Sequence, residues 1–303
     1  MKSKDQLITR RALTVAMSLA PCMPLWAATG PSPPNPLFRA IGITAKVARA
    51  QELRDLGADF IVESVADFLI PFASDAEFAA AKSRALASPL KILGCNSFLR
   101  DPTLICIGPK ADHPRVLAYA ETAFARLRSI GGEYVVFGSS NARQQPAGWS
   151  KSNADDQFVT LLRALGDIAK RSGITVNLES LRVQECNYFN HIGESAAVVA
   201  RVDHPNVRVL ADLYHMAVMG DGADALAKAM PFTGLIELAE RDRRTVPGVA
   251  GDDFRPYFRE AARAGYRGLI DIEADGTADE LRKAFAEVQT QAADVLKSAA
   301  ASA

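Results

Sequence analysis

The stretch DDQFVTLLRALGDIAKRSGITVNLE, residues 155–179, contains one complete unit of the pattern that predicts the fold. Its first part is an amphipathic helical pattern rich in Leu, Ala and Arg, and Gly173 follows it directly, as expected of a helix C-cap. The run ITVNLE, residues 174–179, then has the apolar, β-branched composition of a strand and ends in the carboxylate of Glu179. The stretch therefore predicts a helix, a tight turn and a strand with a polar residue at its carboxyl end.

The same unit recurs along the chain. Eight short runs are predicted strands: AIGI (40–43), FIVES (60–64), KILGCN (91–96), EYVVFG (133–138), ITVNLE (174–179), VRVLAD (207–212), LIELAE (235–240) and GLIDIE (268–273). Helical patterns lie between them, and several close with glycine, at Gly57, Gly131, Gly173 and Gly265. Strict alternation of eight strands and helices predicts an α/β fold, a (β/α)8 TIM barrel over residues 38–303. An open doubly wound sheet is the alternative, and the lack of G-x-G-x-x-G after the first strand weakens it.

Composition excludes several classes of protein. Hydrophobic residues make up 49% and charged residues 23% of the 303 residues, which is ordinary for a globular enzyme and excludes disordered and fibrous chains. Basic and acidic residues are equal in number, 35 each, and neither sign forms a long run. We therefore expect no nucleic-acid partner and no anionic lipid partner. The sequence does not determine whether the protein forms a homo-oligomer.

The N-terminal segment has its own pattern. Lys2, Lys4, Arg10 and Arg11 precede the apolar run ALTVAMSLAPCMPLWAA, which is too short and too interrupted by proline for a stable membrane span. The stretch TRRAL resembles the twin-arginine export signal, whose machinery passes folded proteins. We expect a signal peptide over residues 1–28, a Pro-rich linker over 29–37 and a periplasmic protein. An uncleaved N-terminal anchor is the alternative.

The cysteines give no framework for a fold. Cleavage near Ala28 would leave Cys95, Cys106 and Cys186, an odd number without C-x-x-C spacing. Neither a disulfide scaffold nor a zinc ribbon is supported, and we expect small buried thiols.

Carboxylates mark the ends of the last four predicted strands. Glu179, Asp212, Glu237 and Glu273 come from consecutive strands, and the carboxyl ends of barrel strands meet at one mouth. Glu237 also shares a strand face with Leu235 and Ala239, which is an apolar setting for a charge. Converging carboxylates repel one another, and a divalent cation compensates that repulsion. Oxygen ligands favour Mn²⁺ or Mg²⁺. Any one of the four could instead be a helix cap or an ion-pair residue.

Four ordered motifs at these strand ends resemble those of the xylose isomerase-like TIM-barrel superfamily, and most of all its ketose 3-epimerase branch. The motifs are NLESLRVQE, LADLYHM, ELAERDRRTVPG and GLIDIEAD. The resemblance implies a metal-dependent sugar isomerase or epimerase with a small carbohydrate substrate. It also implies that Glu179, Asp212, Glu237 and Glu273 are metal ligands and that Glu179 and Glu273 act as base and acid. One position departs from the family, because Glu237 stands where a histidine is usual, within a pattern like His-x-x-Glu-x-x-Arg.

Three further residues match substrate-contacting positions of that family. They are Glu185, six residues after Glu179; His215, three after Asp212; and Arg243, six after Glu237. The polar loop VFGSSN is expected to meet substrate hydroxyls. Four aromatic residues near the predicted mouth could stack on a sugar or anchor loops: Trp149, Tyr188, Phe189 and Tyr214.

Other functions stay open from the sequence. A lyase or hydratase acting on 3-keto-glycosides would use nearly the same residues, and loss of the metal would leave a non-catalytic sugar-binding barrel. A zinc-dependent apurinic endonuclease on the same barrel is disfavoured, because only four histidines occur and no basic surface is evident.

Overall fold

A computed structural model gives the structure of the protein and describes residues 37–301. The predicted signal peptide, residues 1–28, and residues 29–36 of the predicted linker lie outside the described residues. The strands are β1 (Ala40–Thr44), β2 (Phe60–Ser64), β3 (Lys91–Asn96), β4 (Tyr134–Phe137), β5 (Thr175–Glu179), β6 (Val207–Asp212), β7 (Thr233–Leu238) and β8 (Leu269–Ile272).

The eight strands form a closed parallel barrel in chain order. Closure comes from pairing of β1 with β8, in which Ala40 lies opposite Leu269 and Ile43 opposite Ile272. The predicted (β/α)8 barrel is therefore confirmed, and the open-sheet alternative is wrong. Strand β7 begins and ends two residues earlier than predicted. Its predicted last residue, Glu240, has left the sheet, because its backbone N–H donates to the carbonyl of Thr245 in the following loop.

Helices cover the outside of the barrel. They are α1 (Ala50–Leu56), α2 (Asp75–Ala87), α3 (His113–Ser129), α4 (Lys151–Ser172), α5 (Ile192–Val202), α6 (Leu213–Met219), α7 (Ala223–Ala229), α8 (Arg255–Arg263) and α9 (Ala278–Ala301). Gly173 ends α4 with φ 66°, a left-handed conformation that favours glycine. The other predicted caps, Gly57, Gly131 and Gly265, also have positive φ. The helix-closing signals are therefore confirmed.

Side chains fill the barrel interior in layers. Phe60, Leu210, Leu235 and Leu269 are buried there with Tyr134. Glycines make room for the two rings, since a Cβ at Gly42 would collide with Phe60 and one at Gly94 with Tyr134. Phe60 is fully buried, so its replacement by alanine would cost about 3–5 kcal/mol. The interior below the mouth is therefore a packed core rather than a channel.

A second apolar layer lies between the strands and the helices. Tyr188 and Phe189 belong to it and pack on Phe158 of α4, with ring centroids 5.7 and 5.6 Å away. These two aromatic residues therefore anchor a loop. Cys95, Cys106 and Cys186 are buried free thiols, as expected.

Within residues 37–301, no helix is long and apolar enough to cross a membrane.

Candidate active site

The strand ends bring the four predicted carboxylates together at the barrel mouth. Glu179 and Asp212 are the last residues of β5 and β6, Glu237 is the last but one of β7, and Glu273 directly follows β8. One carboxylate oxygen from each lies within 4.8 Å of the others. The register explains the convergence, since Asp212 lies opposite Glu237 in the sheet.

Burial makes this cluster electrostatically unfavourable on its own. Glu237 is fully buried, and neither of its carboxylate oxygens has a hydrogen-bond partner among residues 37–301. Burial, and then repulsion by Glu273 and Asp271, raise the pKa of Glu237 well above its ordinary value. Burial and the neighbouring Asp212 do the same to the pKa of Glu179, and burial also raises the pKa of Glu273. The cluster therefore takes up protons unless a cation compensates it.

A fifth carboxylate, Asp271, lies beside the cluster and was missed in the sequence. It lies opposite Glu237 in the β7–β8 ladder and is fully buried. Burial raises its pKa to about 8. The signal for it was the two-residue alternation of Leu269, Asp271 and Glu273, which places all three on the inward face of one strand.

His215 lies in the first turn of α6 and points at the cluster. Asp212 caps this helix, since its Oδ1 accepts the N–H groups of Tyr214 (2.7 Å) and His215 (3.1 Å). Nδ1 of His215 accepts the backbone N–H of Arg182 at 3.2 Å, so the proton of the neutral ring lies on Nε2. That Nε2 is 3.4 Å from Oε1 of Glu179 and 3.5 Å from Oδ2 of Asp212. Burial lowers the pKa of His215, which favours the neutral ring.

Glu185 reaches the same edge of the site through a side-chain network. Its Oε1 accepts from Nε of Arg182 at 2.7 Å, and its Oε2 is 3.9 Å from Nε2 of His215. Arg182 also donates to the hydroxyl of Tyr214 at 2.6 Å. The side chain of Glu185 is 30% exposed, so it stands at the rim of the cavity.

The structure places Arg244, not the predicted Arg243, beside the carboxylates. The side chain of Arg243 is 77% exposed and pairs with its neighbour Asp242 at 3.2 Å. Arg244 donates from Nη2 to Oδ2 of Asp212 at 3.3 Å and to Oε2 of Glu273. Both arginines have left-handed φ, 54° and 53°, and this double turn brings the second side chain to the mouth. Counting six residues from Glu237 could not reveal such a turn.

Glu240 fixes the shape of the loop that carries Arg244. The loop runs from residue 239 to residue 254, and the buried carboxylate of Glu240 lies inside it. The carboxylate accepts backbone N–H groups from Gly248 (2.8 Å), Gly251 (2.9 Å) and Asp252 (3.1 Å), and also from Ala250. These bonds hold the pKa of Glu240 below its ordinary value although burial opposes them.

Two more residues, which the sequence analysis did not identify, make hydrogen bonds to the residues that carry the carboxylates. Asn96, at the end of β3, donates from Nδ2 to Oε1 of Glu273 at 3.0 Å. Arg143 is fully buried and donates to the carbonyls of Gly138 (2.6 Å), Glu179 (2.7 Å) and Tyr188. It therefore joins the loops after β4 and β5 through their backbone.

The four carboxylates fit a hard divalent ion. Oδ1 of Asp212 and Oε1 of Glu273 accept N–H groups, and Oδ2 and Oε2 accept from Arg244, so both oxygens of Glu237 are the ones left without a partner in the described part of the chain. Carboxylate oxygens at this spacing are the ligands that Mg²⁺ and Mn²⁺ prefer. Glu179, Asp212 and His215 form a second group within the same 4.8 Å limit. A cation bound by either set of residues would offset the negative charge of its buried carboxylates.

A cavity of about 350 Å³ opens directly above these residues. Glu179, Glu185, His215, Arg244 and Glu273 line it. The VFGSSN loop contributes residues 138–141 to the wall, in keeping with its predicted contact with substrate hydroxyls. A Cβ at Gly138 would lie 2.2 Å from Oε2 of Glu179, so a larger residue there would require that carboxylate to shift. The cavity is polar and of a size suited to a small molecule.

A family model described as xylose isomerase-like TIM barrel matches residues 50–298. The chain is 26% identical over 176 residues to 3-dehydro-D-guloside 4-epimerase of Escherichia coli (strain K12), which covers 56% of this chain and 67% of that protein. It is 30% identical over 117 residues to L-ribulose 3-epimerase of Methylomonas sp. (strain DH-1), covering 38% of this chain and 41% of that protein. The chain thus spans about half the length of the curated relatives it matches. Among solved structures, that of 3-keto-D-glucoside 4-epimerase from E. coli superposes with a TM-score of 0.67 at 20% identity, covering 83% of this chain and 99% of the other.

Proposed function

Because the chain belongs to the xylose isomerase-like TIM-barrel family, we propose that it is a divalent-metal-dependent sugar isomerase or epimerase. Its substrate in this proposal is a ketose or a keto-sugar derivative, and the reaction passes through an enediolate. The relatives that match are sugar epimerases and isomerases. The observation that carries the proposal is the convergence of four strand-end carboxylates within 4.8 Å, one of them fully buried with both oxygens unpartnered.

The metal in this proposal is Mn²⁺ or Mg²⁺, held by Glu179, Asp212, Glu237 and Glu273. A bound divalent cation supplies a Lewis acid that offsets negative charge on substrate oxygens. Glutamate at position 237, in place of the family's usual histidine, adds a negative charge to the ligand set. That charge favours a hard ion over Zn²⁺.

Proton transfer in this proposal belongs to Glu179 and Glu273. They extend from β5 and β8, which are separated by β6 and β7 around the barrel, so their carboxyl groups approach the cavity from different directions. Burial raises the pKa of both groups in the metal-free protein, and a raised pKa suits a carboxyl group that must alternate between base and acid. Carboxyl groups that address opposite faces of a planar enediolate give epimerisation.

The remaining residues hold and orient the sugar. The Nε2–H of His215 donates toward the carbonyl end, and Glu185 accepts from a hydroxyl at the rim. Arg244 takes the part expected of Arg243, since its guanidinium lines the cavity.

Solvent deuterium uptake tests this function. The purified protein is loaded with Mn²⁺ and incubated in D₂O with ketoses and 3-keto-glycosides, and exchange beside the carbonyl is followed by NMR. We expect exchange that disappears in Glu179→Gln and Glu273→Gln and persists in the surface control Glu121→Gln. Elemental analysis of the native protein should find one divalent ion. No exchange with any member of the panel, together with no bound metal, would favour a non-catalytic sugar-binding barrel.

We also propose that the protein is exported to the periplasm. The support is the Arg10–Arg11 pair before an apolar run. Cell fractionation should find the mature chain outside the cytosol, and changing both arginines to lysine should retain it inside. Recovery of the unchanged protein from the cytosol alone would contradict export.

A further inference from the structure

Two large apolar side chains at the ends of α2 are left uncovered by the rest of the chain. Phe72 precedes the helix and Leu86 lies in its last turn, and each is 54% exposed. One exposed apolar residue is ordinary in a globular protein, so the significance of this pair depends on the side chains around it. We call the outward side of residues 72–87 the α2 face.

An apolar hollow of about 380 Å³ lies beside Phe72. Ile70 and Tyr119 line it, and the Phe72 ring packs on Tyr119 with centroids 4.8 Å apart. The guanidinium carbon of Arg115 is 5.1 Å from the centre of the Phe72 ring. Of the residues that line the hollow, only Arg100 also lines the catalytic cavity. The hollow is therefore a fixed apolar surface next to the catalytic cavity rather than a part of it.

The charged residues of the α2 face are divided by sign along the helix. Asp75 and Glu77 lie in the first turn, whereas Lys82 and Arg84 lie in the second half. Neither basic side chain forms a hydrogen bond or an ion pair with any of residues 37–301. Oδ2 of Asp75 and Oε1 of Glu77 also have no partner in the described part of the chain. An acidic end and a basic end are complementary to a second copy of the helix that runs in the opposite direction.

One flank of the α2 face lies toward α3. Asp75 belongs to this flank, because its Oδ1 accepts from Nη2 of Arg126 in α3 at 2.9 Å. Lys82 follows seven residues later and Leu86 four residues after that, spacings that keep all three on one side of a helix. Phe72 continues the flank, since its ring packs on α3. In chain order the flank is therefore apolar, acidic, basic and apolar.

The opposite flank and the centre complete the α2 face. Two residues correspond to about 200° around a helix, so Arg84 lies on the flank opposite Lys82. Glu77, seven residues before Arg84, shares that flank. The centre consists of exposed short side chains, which let another helix come close: Ala76, Ala79, Ala80 and Ser83.

We propose that the α2 face binds the same face of a second copy of the chain, with the two helices antiparallel across a two-fold axis. An axis that passes between Ala79 and Ala80 places Glu77 against Arg84 of the second copy. A two-fold interface is isologous, so the same ion pair forms twice. Charged groups that lack a partner within one copy are thereby paired by the other.

The flank toward α3 fits the same arrangement. Asp75 lies against Lys82 of the second copy, and Leu86 of the second copy reaches the hollow beside Phe72. Because Asp75 binds Arg126 through Oδ1, its Oδ2 accepts from the second copy without loss of the internal ion pair. Each exposed charged or large apolar side chain of the α2 face therefore has a complementary neighbour in the dimer.

Self-association of the purified protein tests this interface. A contact formed by one helix from each copy is small, so we expect a weak dimer with a Kd of about 10–100 µM, measured by sedimentation equilibrium from about 1 to 300 µM. Arg84→Glu and Glu77→Arg each place like charges together at both symmetric contacts and should weaken the dimer by about tenfold or more. An equal mixture of the two variants should restore the wild-type Kd, because every acidic side chain then meets a basic one.

Two matched controls show whether the effects belong to the α2 face. Arg259→Glu makes the same charge change at an exposed arginine of α8 and should leave the Kd within about twofold of the wild type. Leu86→Ser should weaken the dimer by about tenfold or more, since it removes the side chain that fills the hollow. Val183→Ser, at a residue that is also 54% exposed, should leave the Kd unchanged.

The outcomes that would overturn the proposal are distinct. A protein that stays monomeric over the whole range overturns it, and so does a dimer that neither Arg84→Glu nor Leu86→Ser weakens, since its interface is then elsewhere. Failure of the mixture to recover, with both variants folded, overturns the antiparallel arrangement. Thermal unfolding verifies that each variant is folded. If loss of the cap between Ser74 and Glu77 unfolds Glu77→Arg, the Arg84 and Leu86 variants decide the test.

Discussion

Arg244 occupies the oxygens that a metal ion would need, so its removal should strengthen metal binding. Oδ1 of Asp212 and Oε1 of Glu273 already accept N–H groups, and Arg244 donates to the other oxygen of each carboxylate. The guanidinium and a divalent cation therefore compete for the same two atoms. The perturbation is Arg244→Met, which keeps an apolar side chain and removes the guanidinium, including its contact with the Tyr214 ring.

The magnitude follows from the two contacts that a metal must displace. A hydrogen bond to a charged group is worth about 1.5–3 kcal/mol. The side chain of Arg244 is 29% exposed, so we use the lower end for each contact and expect about 3 kcal/mol in total, or about 100-fold in affinity. Proton uptake by the freed carboxylates opposes the gain, because Arg244 lowers the pKa of Glu179 and Glu273. The net expectation is roughly 10- to 100-fold tighter binding.

Titration of the metal-free protein with Mn²⁺ measures this effect, with calorimetry or the spin resonance of free Mn²⁺ as the signal. The matched control is Arg243→Met, which removes the same charge one residue earlier from a side chain that is 77% exposed. We expect its affinity to stay within about twofold of the wild type. Unchanged or weaker binding in Arg244→Met would refute the competition and would make Arg244 a part of the metal site's support.

Three further changes have defined outcomes. Glu240→Gln should destabilise the protein by about 2 kcal/mol in urea unfolding, since it weakens four backbone N–H contacts, whereas the exposed control Glu121→Gln should change little. Because the pKa of folded Glu240 is lowered, its contribution is present above the ordinary value of 4.5 and is lost as pH falls through the folded pKa. Arg143→Met should lower the free energy of unfolding by about 3 kcal/mol, because three buried carbonyls lose their donor. Arg143→Lys should recover part of this loss, and equal stability of the wild type and both variants would contradict the role of Arg143. Asp271→Asn should stabilise the metal-free protein at about pH 8. The pKa of Asp271 rises from its ordinary value of 3.8 to about 8 in the folded protein, so the stability of the wild type falls as pH rises between these two values. The gain from the substitution should therefore shrink at about pH 4, and a gain that does not shrink there would contradict this account.

The barrel and its carboxylates could be predicted because both depend on local patterns. Eight apolar runs with glycine-capped helices between them determine the strand order, and parallel strands bring their carboxyl ends to one side. Glu179, Asp212 and Glu273 are therefore near one another by topology alone. Glu237 joins them because its alternation with Leu235 turns it inward. The carboxylate on the apolar face of β7 is therefore part of the cluster.

The residues that were missed depend on loop conformation and on contacts between distant segments. Arg244 rather than Arg243 contacts the carboxylates because two consecutive residues adopt left-handed φ, and spacing along the sequence does not encode that. Arg143 is buried although nothing near it in sequence marks it, because its partners are backbone carbonyls of its own loop, at Gly138, and of the segment at and after the end of β5, at Glu179 and Tyr188. The alternation of β8 indicates that Asp271 points inward, but it does not indicate how close Asp271 lies to the four carboxylates at the strand ends.

The pairing of β1 with β8 also couples distant parts of the chain to the carboxylate cluster. Glu273 directly follows the strand that closes the ring, so the fourth carboxylate reaches the others only when β8 has paired with both β1 and β7. Local opening of this seam would therefore disperse the cluster while the remaining strands stay paired.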